Sequence, residues 1–265
     1  MYLNAKRVLL TGANGGIGSE LARALAAEGC TLVLAGLDEP GLQTLAAELS
    51  AKTEAVAIAA DLSTPEGINT LAAQASSAFG GIDVLINSAG ALDFKRFDQT
   101  DPARIALVIQ LNLTAPMLLT RALVGDLDGE GKAVVNIGST LGAIGMPYYS
   151  AYSASKAGLQ RFSEALRREL GSGGPRILHI APRATDTGIN NSAAQAMHKA
   201  TKTHVDSPQW VAAQIIKALK DGTEERYLGF PESFFVRLNA LLPAVVGKTL
   251  SQQARDNADL LAEVR

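Results

Sequence analysis

The sequence predicts a single α/β domain, a doubly wound, seven-stranded parallel sheet with helices on both faces. Three observations carry that expectation. Short apolar runs alternate with helix-patterned runs along the chain. Several of the apolar runs show no polar alternation, as parallel strands covered on both faces require. The first of them enters a glycine-rich turn, Thr11-Gly12-Ala13-Asn14-Gly15-Gly16-Ile17-Gly18, which leads straight into a helical run.

Taken in order, the strand-like runs are Val8–Thr11, Leu32–Ala35, Ala55–Ala59, Val84–Asn87, Ala133–Ile137, Ile177–Ala181 and Glu225–Leu228. Helical runs fall near 17–28, 40–50, 65–79, 102–124, 152–170 and 208–220. Three of these open on matching signals, Thr64-Pro65, Asp101-Pro102 and Ser207-Pro208. Each places an N-cap side chain before a proline at the first helical position. Residues 1–230 read as one domain carrying the site, with 231–265 as its helical extension.

Composition sets limits. A chain of 265 residues affords a sizeable core. Its formal net charge of −2, without blocks of like charge, points away from a nucleic-acid partner. The single cysteine, Cys30, opens a strand and reads as a buried structural thiol. His179, His198 and His204 are scattered and stand in no metal-ligand spacing, so no metal is expected. Met1 to Arg7 runs into the first strand without an apolar signal region, and a reducing cytoplasm is the expected compartment.

Four segments carry chemistry. In the glycine turn, absent Cβ atoms let backbone approach a phosphate, and the helix beyond offers free N–H groups and the positive end of its dipole. An ordinary β–α turn needs one or two glycines; four in seven positions argue for close approach of a ligand. Asn87-Ser88-Ala89-Gly90 follows a strand, at the end where open α/β sheets bind ligands. Ser139 also ends a strand, 13 residues before Tyr152. Tyr152 and Lys156 share a helical face at i and i+4. A fixed cation favours the phenolate, so the pair is expected to be a proton donor and acceptor with a lowered phenol pKa. Alone, such a pair reads as a half-buried tyrosine beside a solvated lysine. Asn112, between Leu111 and Leu113, reads alone as a solvent-facing or locally bonded side chain.

Together these segments resemble the short-chain dehydrogenase/reductase family in its single-domain Rossmann-fold branch. The glycine motif, Asp61, Asn87 to Gly90, Asn112, Ser139, Tyr152 and Lys156 follow the family's order over residues 5 to 230. The resemblance implies an NAD(P)-dependent oxidoreductase interconverting an alcohol and a ketone or aldehyde. It implies Asn112, Ser139, Tyr152 and Lys156 as the catalytic set. Tyr152 would exchange the substrate proton, Ser139 would donate to the carbonyl oxygen, and Asn112 would anchor a proton-relaying water. Gly12, Asn14, Gly15, Gly16, Ile17, Gly18, Asp38, Asp61, Leu62, Asn87, Ala89, Gly90, Tyr152, Lys156, Pro182 and Thr187 would hold the cofactor. Lys156 would also bond the nicotinamide ribose. Asp61 would accept from the adenine amine, or simply cap the next turn. A homodimer or homotetramer through 102–124 and 152–170 is also implied.

Two departures stand out. The family's Pro-Gly after the sixth strand is here Pro182-Arg183, where a positive φ would be strained. Either the backbone differs, or Arg183 touches cofactor or substrate. At the end of the second strand, Gly36-Leu37-Asp38-Glu39 offers no cation to a 2′-phosphate, which leans the cofactor toward NAD(H). The segment 140–149, with Phe94 and Ile189, suggests a mostly apolar pocket and a medium-sized apolar substrate. Pro231 to Gly247 is strongly apolar but too short to span a bilayer. It packs on the core or a partner subunit, closes over the substrate, or lies on a membrane surface, the last reading not favoured. Ser251 to Arg265 reads as a solvated helix. The competing function is a dinucleotide-binding regulator on the same fold.

Overall fold

The computed structural model describes residues 1–257. In chain order the elements are β1 (Arg7–Thr11), α1 (Gly16–Ala27), β2 (Thr31–Gly36), α2 (Glu39–Leu49), β3 (Ala55–Ala59), α3 (Pro65–Ala78) and β4 (Val84–Asn87). They continue with α4 (Pro102–Ile109), a π-helical stretch (Gln110–Thr114), α5 (Ala115–Ala122), β5 (Ala133–Ile137), α6 (Ser150–Leu170) and β6 (Arg176–Ala181). Last come α7 (Ser192–Ala200), α8 (Pro208–Asp221), β7 (Glu225–Tyr227), α9 (Glu232–Leu241) and α10 (Pro243–Asp256). All seven expected strands form.

The strands make one parallel sheet in the order β3-β2-β1-β4-β5-β6-β7. Strand side chains alternate between its faces. Val8, Leu10, Leu32, Leu34, Val84 and Ile86 join one core layer with Leu21 and Leu25 of α1 and Ile215 of α8. Leu9, Val33, Leu85 and Val134 join the other with Leu71 of α3 and Leu119 of α5. Strand order reverses between β1 and β4, so their C-terminal ends diverge and leave a crevice.

The expected caps hold: Thr64, Asp101 and Ser207 accept from backbone N–H groups of α3, α4 and α8. Two expectations change. The run 102–124 is not one regular helix but two joined by the π-helical stretch. Pro116 has no N–H to give the Asn112 carbonyl, which breaks the α ladder there. In addition, α7, capped by Asn191, forms from a stretch to which the sequence reading assigned no element. Cys30 is buried immediately before β2, and burial pushes its thiol up to about 12. Of the expected terminal helix, the part from 258 to 265 lies outside the described residues.

Candidate active site

The glycine turn crosses the crevice. Gly12 takes φ +65°, and a Cβ there would lie 2.8 Å from the Ala89 Cα. The turn and the 87–90 segment are tied by Thr11, whose hydroxyl accepts from the N–H groups of Ser88 and Ala89 at 3.1 Å each. A Cβ on Gly16 would lie 2.5 Å from Thr187 Cγ2, so the turn also meets the segment after β6. Gly15 caps α1 without any side-chain bond, whereas α2, α3, α4, α7 and α8 all have one. The first N–H groups of α1 thus have no side-chain acceptor, at the positive end of its dipole. Such free donors beside glycines suit a dinucleotide pyrophosphate, and the residues present fit that group.

Asn112 is fully buried. Its Oδ1 accepts from the Ala91 N–H at 2.8 Å. Its Nδ2 donates to the Ala91 carbonyl at 2.8 Å and to Ser155 Oγ at 3.0 Å. Ser155 in turn donates to the Tyr152 carbonyl at 2.7 Å. The π-helical stretch therefore braces the segment after β4 against the first turns of α6, and the solvent-facing alternative for Asn112 is excluded. Ser155 was not singled out from the sequence, because a second serine in a helix carries no signal until its partner is known.

Lys156 is buried, and its Nζ donates to the Ile137 carbonyl at 2.8 Å. It lies 5.8 Å from the centroid of the Tyr152 ring. Burial pushes the Lys156 ammonium down to about 8. Burial also pushes the Tyr152 phenol up to about 12, with the Ser139 hydroxyl acting the other way. The expected lowering of the phenol by Lys156 is thus corrected here: desolvation outweighs a cation turned toward a backbone carbonyl. Ser139 Oγ accepts from the Leu141 N–H at 3.1 Å. The glycine before it, Gly138, has no room for a Cβ over the buried ring of His179.

These groups open on one cavity of about 1040 Å³. Gly12, Asn14, Gly15, Gly16, Ile17, Gly18, Ala89, Gly90, Pro182 and Thr187 line it, together with Asn112, Ser139, Tyr152 and Lys156. Phe94, Leu141, Ile144, Met146 and Ile189 line the apolar part, as expected. Four expected residues do not line it. Asn87 is buried with its amide on Asn136 Oδ1 at 2.8 Å. Leu62 is buried in the core layer under α3 and α5. Asp61 accepts from the Ser63 N–H at 2.8 Å, the turn-capping alternative. Asp38 caps α2 through Gly41 N–H and accepts from Asn14 Nδ2 at 3.0 Å.

The far wall was only partly foreseen. Met197 and His198 of α7 reach it, as do Phe235 and Leu238 of α9 and Val246 and Leu250 of α10. The Tyr148 hydroxyl donates to the Ala254 carbonyl at 2.9 Å, and Asn239 Nδ2 to the Ala143 carbonyl at 3.0 Å. These bonds seat α9 and α10 over the cavity. Their outer face keeps Phe234, Leu241 and Leu242 exposed.

The family profile for short chain dehydrogenases matches residues 6–198. A ketoacyl reductase, HetN, from Nostoc is 38% identical over 226 residues, covering 84% of this chain and 78% of its own. Dehydrogenase/reductase SDR family member 7B from Danio rerio is 31% identical over 266 residues, covering 94% and 86%. A short chain dehydrogenase from Burkholderia cenocepacia, solved in complex with NADP, superposes with a TM-score of 0.80 at 27% identity, covering 88% of this chain and 100% of that one. With its parallel sheet, its glycine turn and this match over most of its length, the chain belongs to the short-chain dehydrogenase/reductase family of oxidoreductases.

Proposed function

We propose that the protein is an NAD(P)-dependent oxidoreductase that interconverts a medium-sized apolar ketone or aldehyde and its alcohol, with Tyr152 as the acid/base. One observation carries this reading: Ser139, Tyr152, Lys156 and Asn112 converge on a single cavity that also touches the glycine turn. The ketoacyl reductase and NADP-bound relatives support a carbonyl substrate and a nicotinamide cofactor.

The glycine turn, the start of α1 and Thr187 would hold the cofactor, which when bound supplies or takes up the hydride. The protein's residues handle the oxygen and its proton. Ser139 donates to the carbonyl oxygen, where negative charge develops. Tyr152, held neutral up to about 12, is in the form that gives a proton to that oxygen at neutral pH. Lys156 remains mostly cationic below about 8 and stabilises the phenolate left behind. Asn112 fixes α6 and so fixes both residues. The apolar wall excludes water and favours neutral substrates.

For the cofactor, Asp38 beside Asn14 and the absence of Lys or Arg from Gly36 to Glu39 support NAD(H). A homodimer or homotetramer is inferred through 102–124 and α6. Pro102–Ala122 is mostly apolar, yet only a third of the residues in its most apolar 18-residue window are buried, and a second copy would cover the rest. The test is a carbonyl and alcohol panel, matched in size and varied in charge, followed at nicotinamide absorbance with both cofactors. Neutral apolar ketones are expected to lead in specificity constant; leadership by anionic substrates would overturn the substrate class.

A further inference from the structure

Arg183 stands where the family pattern has glycine, and the proposed chemistry does not use it. Its φ is not positive, so the strain feared from the sequence does not arise. Its side chain is only 8% exposed. A guanidinium tolerates such burial when its donors are matched, and here four of its five N–H groups have partners. Nε and Nη2 donate to the two carboxylate oxygens of Asp206, at 2.9 Å each. Nη1 donates to the Phe230 carbonyl at 2.9 Å and to Glu232 Oε2 at 2.6 Å. Gly229, at φ +85°, leaves space for the group: a Cβ there would lie 2.5 Å from Arg183 Nε.

These partners belong to two different covers of the cavity. Asp206 closes the base of the excursion that carries α7. Its N–H donates to the Ala184 carbonyl and its own carbonyl accepts from the Asp186 N–H, both at 2.9 Å. That excursion brings Met197 and His198 to the cavity wall. Phe230 and Glu232 are the lead-in and first residue of α9, whose Phe235 and Leu238 line the same cavity. One buried side chain therefore joins the roots of both covers. Lysine could not do this, because a single ammonium lacks the fixed fork that serves a bidentate carboxylate and two further acceptors.

We propose that Arg183 is a positioning residue that pins α7 and the α9–α10 pair over the cavity, and so sets how large an apolar substrate the site accepts. The size-setting half rests on the apolar-carbonyl reading above; the pinning half does not.

Two variants of the full chain test it. Arg183→Lys keeps the charge and loses the fork. Glu232→Gln leaves the buried Arg183–Asp206 pair intact, and so remains informative if the first variant fails to fold. Hydrogen exchange is read in 192–200 and 232–256. KM and kcat are read on methyl ketones of increasing alkyl length with saturating nicotinamide cofactor. Glu232→Gln is expected to speed exchange in 232–256 by about tenfold, the worth of one charge-assisted hydrogen bond, and to leave 192–200 unchanged. Arg183→Lys is expected to speed both segments. In each variant KM for the longest ketone should shift about tenfold relative to the shortest, while kcat on the shortest stays within about twofold. Unchanged exchange in 232–256, or a KM shift uniform across chain length, overturns the proposal. If the parent turns over no apolar ketone while exchange follows the expected pattern, the apolar-carbonyl reading fails and the pinning role stands.

Discussion

The two ends of the cavity are built by different means. At the glycine turn, backbone packs on backbone: Gly12 against Ala89, with the Thr11 hydroxyl between strands β1 and β4. Under α7, α9 and α10, side chains reach across loops: Tyr148 to Ala254, Asn239 to Ala143, Arg183 to Glu232. At the first end a Cβ on Gly12, Gly16 or Gly18 would clash. The second has an exposed outer face and an apolar lining that can be reshaped one side chain at a time. A site built this way keeps one cofactor geometry while its substrate wall varies.

Substitutions should separate the two ends. The largest effect is expected where they meet. Tyr152→Phe should lose at least about a hundredfold in turnover while retaining cofactor binding. Stopped-flow turnover beside a cofactor titration checks both halves, and near-parental turnover would remove Tyr152 from its role. At the glycine end, Gly12→Ala should cost about 1–3 kcal/mol of stability, because the new Cβ meets Ala89 backbone and φ is positive. It should weaken dinucleotide binding as well. Denaturant melts and a dinucleotide titration measure these; an unchanged midpoint would mean that the turn relaxes freely.

The centre should also respond to pH. The Lys156 ammonium is lost as pH rises through about 8. Reductive kcat/KM should therefore fall by about tenfold per unit above that point. Stability should move the opposite way. Between about 8 and the ordinary lysine value of 10.5, the unfolded chain binds more protons at this residue, so its contribution to stability rises with pH. A rate profile run beside thermal melts distinguishes lost charge from alkaline unfolding.

At the substrate end, Phe235→Ala should raise KM for an apolar ketone several-fold, up to about tenfold, while stability stays within about 0.5 kcal/mol, since the residue is 43% exposed. A melting curve that drops steeply would instead make Phe235 a core residue. The smallest difference concerns the cofactor: NADH is expected to bind at least as tightly as NADPH by fluorescence titration. Clearly tighter NADPH would point to Lys202, at the cavity wall, as the missing cation.

Local rules made much of this molecule legible. Glycine spacing, strand runs and Ser/Thr/Asp-Pro caps each act within a few residues, so the seven strands and three cap sites could be read directly. Arg183 could be flagged from the sequence but not explained, because its partners lie 23 and 49 residues away. The same distance hid Ser155 as the partner of Asn112, 43 residues off.

By itself, then, the sequence determined the parallel sheet, the glycine turn at its switch point, and the order of Asn112, Ser139, Tyr152 and Lys156. The sheet and the turn follow from periodicity and backbone freedom; the ordered set follows from its resemblance to the short-chain dehydrogenase/reductase family. Tertiary structure alone decided that the Tyr152 phenol is raised rather than lowered. Burial depends on everything packed around a group, and here it outweighs the Lys156 charge one turn away. Tertiary structure also decided which far segments close the cavity. Contacts between α9, α10 and the loop after β5 gain their energy only once the whole chain has brought them together.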